Sequence, residues 1–340
     1  MIVLGIESSC DETSVSLLKD ENVIVNLISS QHFHNKFGGV IPELSSRAHL
    51  QQIIPLVRNA LDNSGLKLND IDLIAATAGP GLIGALLVGL TFGKSLSLAL
   101  NKPFVPVNHI EGHIFSGFLM NEKPQYPFLC AAVSGGHTLL LLVKSEFEII
   151  KLGSTIDDAI GEAFDKVSKM LKLGYPGGPL IQKYAETGDE NFIKYPIART
   201  KNKYDFSFSG IKTSVLRSIE NIEKDRPIND EDKKNISASF QNAAVNAILK
   251  NTIHAINEFD VKCISLVGGV AANLKLRNEL KLLGKKFSKR IVIPDMEYCG
   301  DNAAMIALRG YQYFKGGYRF SLNSNAFPNL TKDYFENKIL

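Results

Sequence analysis

The sequence predicts an α/β fold with a duplicated layout, and two observations carry that reading. A strand–turn–strand pattern occurs twice, in "MIVLGIESSCDETSVSLL" and in "FLCAAVSGGHTLLLLV", where apolar runs flank a tight polar or glycine turn. Each hairpin is followed downstream by a strand–turn–helix unit. The first is "IDLIAATAGPGLIGALLVGLTFGKSLSLAL" and the second is "CISLVGGVAANLKLRNEL". With 340 residues, 45% of them hydrophobic, the chain can fill one large or two medium cores.

Taken in order, the elements carry their own signals. The first hairpin turns through the polar "ESSCDETS", in which Asp11 and Glu12 are candidate general bases or ordinary turn acids. Leu82 to Leu100 is the most apolar window, but Lys94 and several Gly and Ser interrupt it, so it reads as a buried helix rather than a membrane span. In "PVNHIEGHIFSGF", His109 and His113 are four apart and stack on one helix face. Such a pair can chelate a metal or form two satisfied surface histidines. The zinc-protease pattern H-E-x-x-H puts its glutamate directly after the first histidine. Here Glu111 is two places on, about 160° from both histidines. Asn108 as N-cap with Glu111 at N3 reads as a capping box.

Further along, "DDAIGEAFDKVSKML" is an amphipathic helix with Asp165 beside the apolar face of Ala159, Ala163 and Val167. "GYPGGPLI" places Gly177 and Gly178 in a turn, and "NIEKDRPINDEDKKN" reads as an exposed loop. The glycines of "SGG" (Ser134 to Gly136) and of Gly268–Gly269 let backbone N–H groups approach phosphate oxygens, or serve ordinary tight turns. Asn273 opens a helix as a plain N-cap or faces a ribose or base. Asp301 precedes an Ala-rich helix, as a cap or as the carboxylate completing a His, His, Asp set.

The bulk properties exclude little. A net charge of +3 neither demands nor forbids nucleic acid. Cys10, Cys130, Cys263 and Cys299 are widely separated, without C-x-x-C, which points to a reduced, cytosolic protein. The N-terminus lacks the basic n-region of a signal peptide. Basic, aromatic-dotted "KYPIARTKNKYDF" and "KLLGKKFSKR" are contacts to nucleic-acid phosphates or solvated faces.

Ten blocks, in order and over nearly the whole chain, resemble the TsaD family of tRNA N(6)-adenosine threonylcarbamoyltransferases, formerly called glycoproteases. They are "GIESSCDETS", "GGVIPELSSRAH", "AGPGLIGALLVG", "NHIEGH", "VSGGHT", "DDAIGEAFDK", "YPGGP", "FSFSGIKT", "GGVAAN" and "CGDNAAMIA". The resemblance implies an actin-like ATPase (ASKHA) fold of two ribonuclease-H-like lobes with a nucleotide cleft between them. The lobes are expected at 1–108, completed by 305–340, and at 109–304. It implies one metal, Fe(2+) or Zn(2+), on His109, His113 and Asp301. It implies threonylcarbamoyl-AMP as donor, with ATP or AMP able to occupy the cleft, held by Ala132, Val133, Ser134, Gly135, Gly136, Asp165, Gly178 and Asn273. The implied partners are tRNA, a TsaB-like paralogue and a TsaE-like ATPase subunit, together with a separate enzyme that makes the adenylate. Two departures stand out: Gln182 where many members carry an acid, and Gly300 where many carry threonine. Lys212 of "FSFSGIKT" has no chemical role assigned. Two rival classes are a small-metabolite kinase of the same superfold, which has no use for the His, His, Asp set, and a non-catalytic assembly partner, which would lack the histidines.

Overall fold

The computed structural model describes residues 1–331, 334 and 335. The chain forms two compact units: Met1–Lys123 with Pro294–Ile339, and Pro124–Ile293. Helix His109–Phe115 and the segment 294–304 therefore belong to the first unit, although the expected boundaries gave them to the second lobe. The reason is packing. That helix lies on the C-terminal helix Ala303–Lys315, where a side chain at Gly112 would press on Met305 and Ile306. Residues 332–333 and 336–340 of the expected 305–340 segment lie outside the described residues.

The first unit is built on a five-stranded sheet of order β3-β2-β1-β4-β5. Its strands are β1 Ile2–Glu7, β2 Glu12–Lys19, β3 Asn22–Ser30, β4 Leu73–Gly79 and β5 Phe104–Asn108. The first three form an antiparallel meander, and β4 and β5 run parallel to β1. Helices α1 Pro42–Ser64 and α2 Ile83–Leu100 cover one face. Leu4 and Ile6 of β1 pack there with Ile53, Val57 and Leu90. The alternation of a strand sends Gly5 to the other face, against the C-terminal helix. Any side chain at Gly5 would run into the Ala303 carbonyl and Ala307. Helix α2 has the length and mean hydropathy (1.7) of a membrane span, yet its Gly89 and Gly93 sit against Ser8, Ile6, Ala76 and Phe104 of the sheet. Helix α3, His109–Phe115, follows β5 without a loop.

The second unit repeats the plan. Its strands are β6 Phe128–Val133, β7 Thr138–Val143, β8 Ile149–Ser154, β9 Cys263–Val267 and β10 Arg290–Val292. The order β10-β9-β6-β7-β8 is that of the first sheet, again an antiparallel meander extended by two parallel strands. Its helices are α4 Ile160–Met170, α5 Gly177–Ala185, α6 Ser209–Glu223, α7 Asp230–Glu258 and α8 Leu274–Lys286. The Phe164 and Phe240 rings, 5.0 Å apart, join α4 to α7.

Two local readings are corrected. The stretch "NIEKDRPINDEDKKN" is mostly helix: only residues 224–229 separate α6 from α7. Asn229 and Asp232 form a reciprocal capping box at the start of α7, and Arg226 pairs with Asp232. Gly177 and Gly178 open α5 rather than forming a separate turn, and the Asp165 carboxylate accepts the Gly177 N–H at 2.7 Å.

Candidate functional site

In the first unit, β5 ends at Asn108, whose side chain accepts the N–H groups of Ile110 and Glu111 at 2.8 and 3.2 Å and so starts α3. One turn apart on that helix, His109 and His113 meet edge to face, ring centroids 4.7 Å apart. Both are buried, which removes the reading of two surface histidines. Asp301 comes from the segment before the C-terminal helix. Its Oδ1 lies 3.1 Å from His113 Nε2 and 3.5 Å from His109 Nε2. The cap of that helix is Asn302, which accepts the Met305 N–H, so Asp301 is not occupied as the N-cap. The ligand atoms of His109, His113 and Asp301 all lie within 4.8 Å of one another.

The surroundings fit a divalent cation. Burial alone would lower the His109 imidazole, but the carboxylates of Asp301 and Glu7 outweigh it and raise it to about 9. Burial together with Asp301 and Asp11 pushes the Glu12 carboxyl up to about 10. Glu7, Asp11 and Asp301, with Glu12 beside them, make a concentration of carboxyl groups that a metal ion would neutralise. Asp11 and Glu12 stand half-buried at the β1–β2 turn, as placed from the sequence. Without a cation nearby Glu12 holds its proton, so Asp11 is the first carboxyl to test as a base and Glu12 the second. Behind the turn, His49 of α1 meets Thr13 Oγ1 at 2.7 Å and the Cys10 carbonyl at 3.1 Å, so the block "GGVIPELSSRAH" serves to hold "SCDET" in place.

Sequence reasoning missed Arg309 and Glu7 here. Glu111 does point away from the histidines, but it is not the partner in a capping box. It is fully buried and takes Arg309 Nε at 2.8 Å, Tyr313 OH at 2.6 Å and Tyr334 OH at 2.9 Å. The Arg309 guanidinium also lies 3.9 Å from the Phe115 ring centre. The signal was an arginine as the single charged residue of "AMIALRGYQYF". The other missed residue is Glu7, a carboxylate ending the apolar run of β1.

In the second unit, the implied ligand residues gather around the carboxyl ends of β6 and β9. Ala132 and Val133 end β6, and Ser134 to Gly136 form the turn, closed by the Ser134 N–H to the His137 carbonyl. The start of α4 lies against this turn, its Gly161 N–H donating to the Ser134 carbonyl. Asp165 on α4 caps Gly177, as described, and next to it Gly178 has open space where a Cβ would stand. Asn273 is the N-cap of α8, accepting the Leu276 N–H at 3.0 Å and donating to Gln241 at 2.8 Å. Gln182 accepts the Leu274 N–H at 2.8 Å. Lys212 and Lys166 both pair with Asp158, at 2.6 and 2.7 Å, which gives Lys212 a structural part in joining α6 to α4.

A Cβ at Gly135 or Gly136 would meet nothing within 4 Å, and neither residue has a positive φ. The turn therefore does not need glycine for its fold. Gly136→Ala is expected to leave the melting temperature nearly unchanged and to weaken ATP or adenylate-analogue binding at least about tenfold, roughly 1.4 kcal/mol. Early melting with normal nucleotide binding would make this an ordinary hairpin.

Comparison with known proteins identifies the family. The family model TsaD, described as tRNA N6-adenosine threonylcarbamoyltransferase, matches residues 22–308. A protein of that name from Thermosipho africanus is 49% identical over 332 residues, 97% of this chain and 99% of that one. Its namesake from Symbiobacterium thermophilum is 44% identical, covering 97% and 96%. Among solved structures, T. kodakarensis HypF aligns with a TM-score of 0.63 at 15% identity, over 93% of this chain and 48% of that one. Component A of the Acidaminococcus fermentans (R)-2-hydroxyglutaryl-CoA dehydratase aligns at 0.54 and 14%, over 94% and 100%. These two likenesses concern the fold alone, the actin-like ATPase fold. Sequence identity over almost the full length decides the rest: the chain belongs to the tRNA N6-adenosine threonylcarbamoyltransferase family.

Proposed function

We propose that this chain modifies tRNA by moving the threonylcarbamoyl group of threonylcarbamoyl-AMP to the exocyclic amine of the adenosine 3′ to the anticodon, in tRNAs reading codons that begin with A. The observation that carries this reading is the buried His109, His113, Asp301 set in a member of this family. In the transfer, the amine nitrogen bonds to the carbamoyl carbon, the bond from that carbon to the phosphate oxygen breaks, and AMP leaves. An Fe(2+) or Zn(2+) ion on the three ligands would supply Lewis-acid polarisation and charge neutralisation. The chain's own groups do the rest. Backbone N–H groups of Gly135 and Gly136 stabilise phosphate charge, with Ala132, Val133 and Ser134 presenting the turn and Asp165, Gly178 and Asn273 beside it. Asp11 is the proposed proton acceptor. The target base has to be unstacked, which suits an anticodon loop. Peptide hydrolysis lacks its general base, because Glu111 is buried in the Arg309 pair.

The test is nucleoside analysis of tRNA from cells depleted of the protein, paired with transfer by the purified chain from synthetic threonylcarbamoyl-AMP. Loss of the threonylcarbamoyl-adenosine in the first and its formation in the second are expected. Normal tRNA after depletion would reject the reading.

The same reading places the chain in the cytoplasm, with a TsaB-like paralogue and a TsaE-like ATPase as helpers. Exposed Leu50 and Ile54 on α1 and Ile83 and Leu87 on α2 are pairs at helical spacing that suit an apolar partner surface. For tRNA we propose the groove at the end of α8, about 510 Å³, lined by Lys281, Lys285, Lys289 and Arg290. Lys281→Gln with Lys285→Gln is expected to weaken tRNA binding and to reduce the slope of log K against log salt by about 1–2. An unchanged slope would make this a merely solvated face.

A further inference from the structure

We propose that Glu7 is a positioning residue that fixes which ring nitrogen of His109 faces the metal set. The inference rests on reading His109, His113 and Asp301 as a cation site. Glu7 is the last residue of β1 and is fully buried. The parallel register sets Ile6 beside Ala76, so Glu7 and Thr77 stand together at the carboxyl ends of β1 and β4. Three donors converge on the Glu7 carboxylate. The Ser9 N–H lies 2.6 Å from Oε1, and Thr77 Oγ1 lies 2.5 Å from Oε2. The third is His109 Nδ1, 3.1 Å from Oε2, with Ser9 Oγ also 3.2 Å from that nitrogen.

A buried carboxylate with no lysine or arginine against it costs several kcal/mol in desolvation, so packing alone is a poor reason to place one there. Its one ionisable hydrogen-bond partner among the described residues is His109. A neutral imidazole has one donor nitrogen and one acceptor nitrogen, and the partner of one decides the role of the other. With Nδ1–H given to Glu7, the Nε2 lone pair of His109 is left facing Asp301, 3.5 Å away. The opposite tautomer would put a hydrogen on Nε2 and close that nitrogen to a metal. The arrangement is the carboxylate–histidine support that metal-ligating imidazoles commonly have. His113 has none: its buried Nδ1 has no hydrogen-bond partner among the described residues. The orienting work in this set therefore falls on His109.

The experiment is a Zn²⁺ titration of the full-length protein and its variants. Glu7→Gln keeps the size of the side chain but removes the carboxylate. It is expected to weaken Zn²⁺ binding 10- to 100-fold while the metal-free protein melts no earlier. A Zn²⁺ affinity equal to the parent's overturns the role of Glu7. His113→Ala separates the two ideas. If it loses Zn²⁺ while Glu7→Gln does not, only the inference about Glu7 falls; if neither variant changes Zn²⁺ binding, the cation reading falls with it. Nitrogen-15 spectra of the His109 ring in the Zn²⁺-loaded parent decide the matter even where Glu7→Gln does not fold. A protonated Nδ1 with metal on Nε2 supports the proposal, and the reverse tautomer overturns it.

Discussion

Replacing Glu111 with glutamine is expected to destabilise the protein by about 3–5 kcal/mol, several times the ~1 kcal/mol of a lost capping partner. Glu111 and Arg309 are both fully buried and 2.8 Å apart. Arg309 keeps its charge: burial alone would lower its pKa, but Glu111 outweighs that and raises it. A neutral amide in place of the carboxylate would remove the counter-charge that Glu111 supplies to this buried guanidinium. Tyr313 and Tyr334 lose a charged acceptor at the same time. Urea unfolding measured on the metal-free protein checks the value. Replacing both partners with methionine should restore most of the loss, because no unpaired charge then remains. A cost below 1 kcal/mol for Glu111→Gln would show that the pair contributes little.

His109→Ala is expected to lower bound metal from about one per chain to below about one-tenth, with transfer activity lost alongside. Two ligands, His113 and Asp301, do not make a closed site. The pH dependence of the parent protein tests the same residue. Without metal the His109 ring is protonated below about 9. Its proton must leave before Nε2 can bind a cation, so metal affinity should rise about tenfold per unit between about pH 6 and pH 8. Metal retained by His109→Ala, or a flat pH profile, would count against the three-ligand set.

The parts of the fold visible in the sequence are those with strong local periodicity. β1, β2, β6 and β7 are apolar runs around tight turns, and α2 and α4 are clear helices. The third meander strands were not legible. β3 is an edge strand with an irregular, half-exposed pattern, and β8 is only partly buried along its length. The start of α7 looked like a charged loop because Asp230, Glu231 and Asp232 are its first turn, where acids favour the helix dipole. At the site, the spacing of His109 and His113 was readable because both lie on one helix. Glu7 and Arg309 owe their roles to partners about a hundred and two hundred residues away, at |i−j| of 102 and 198. No local pattern reports such pairings.

The first unit is discontinuous, and this has a consequence for how the chain is made. Ribosomes deliver β1 to α3 first, but the helix that covers the Gly5 side of the sheet and carries Arg309 is Ala303–Lys315. The second unit is synthesised in full between them. At about 5–20 residues per second, the roughly 190 residues from Lys123 to Lys315 take on the order of 10–40 s. During that interval the nascent sheet shows bare apolar surface, and Arg309 has not yet been made to pair with Glu111. The second unit, contiguous in sequence, can finish first. Quality control in the cell therefore meets an open first half, and the arrival of Asp301 beside His109 and His113 becomes one of the last events of biogenesis.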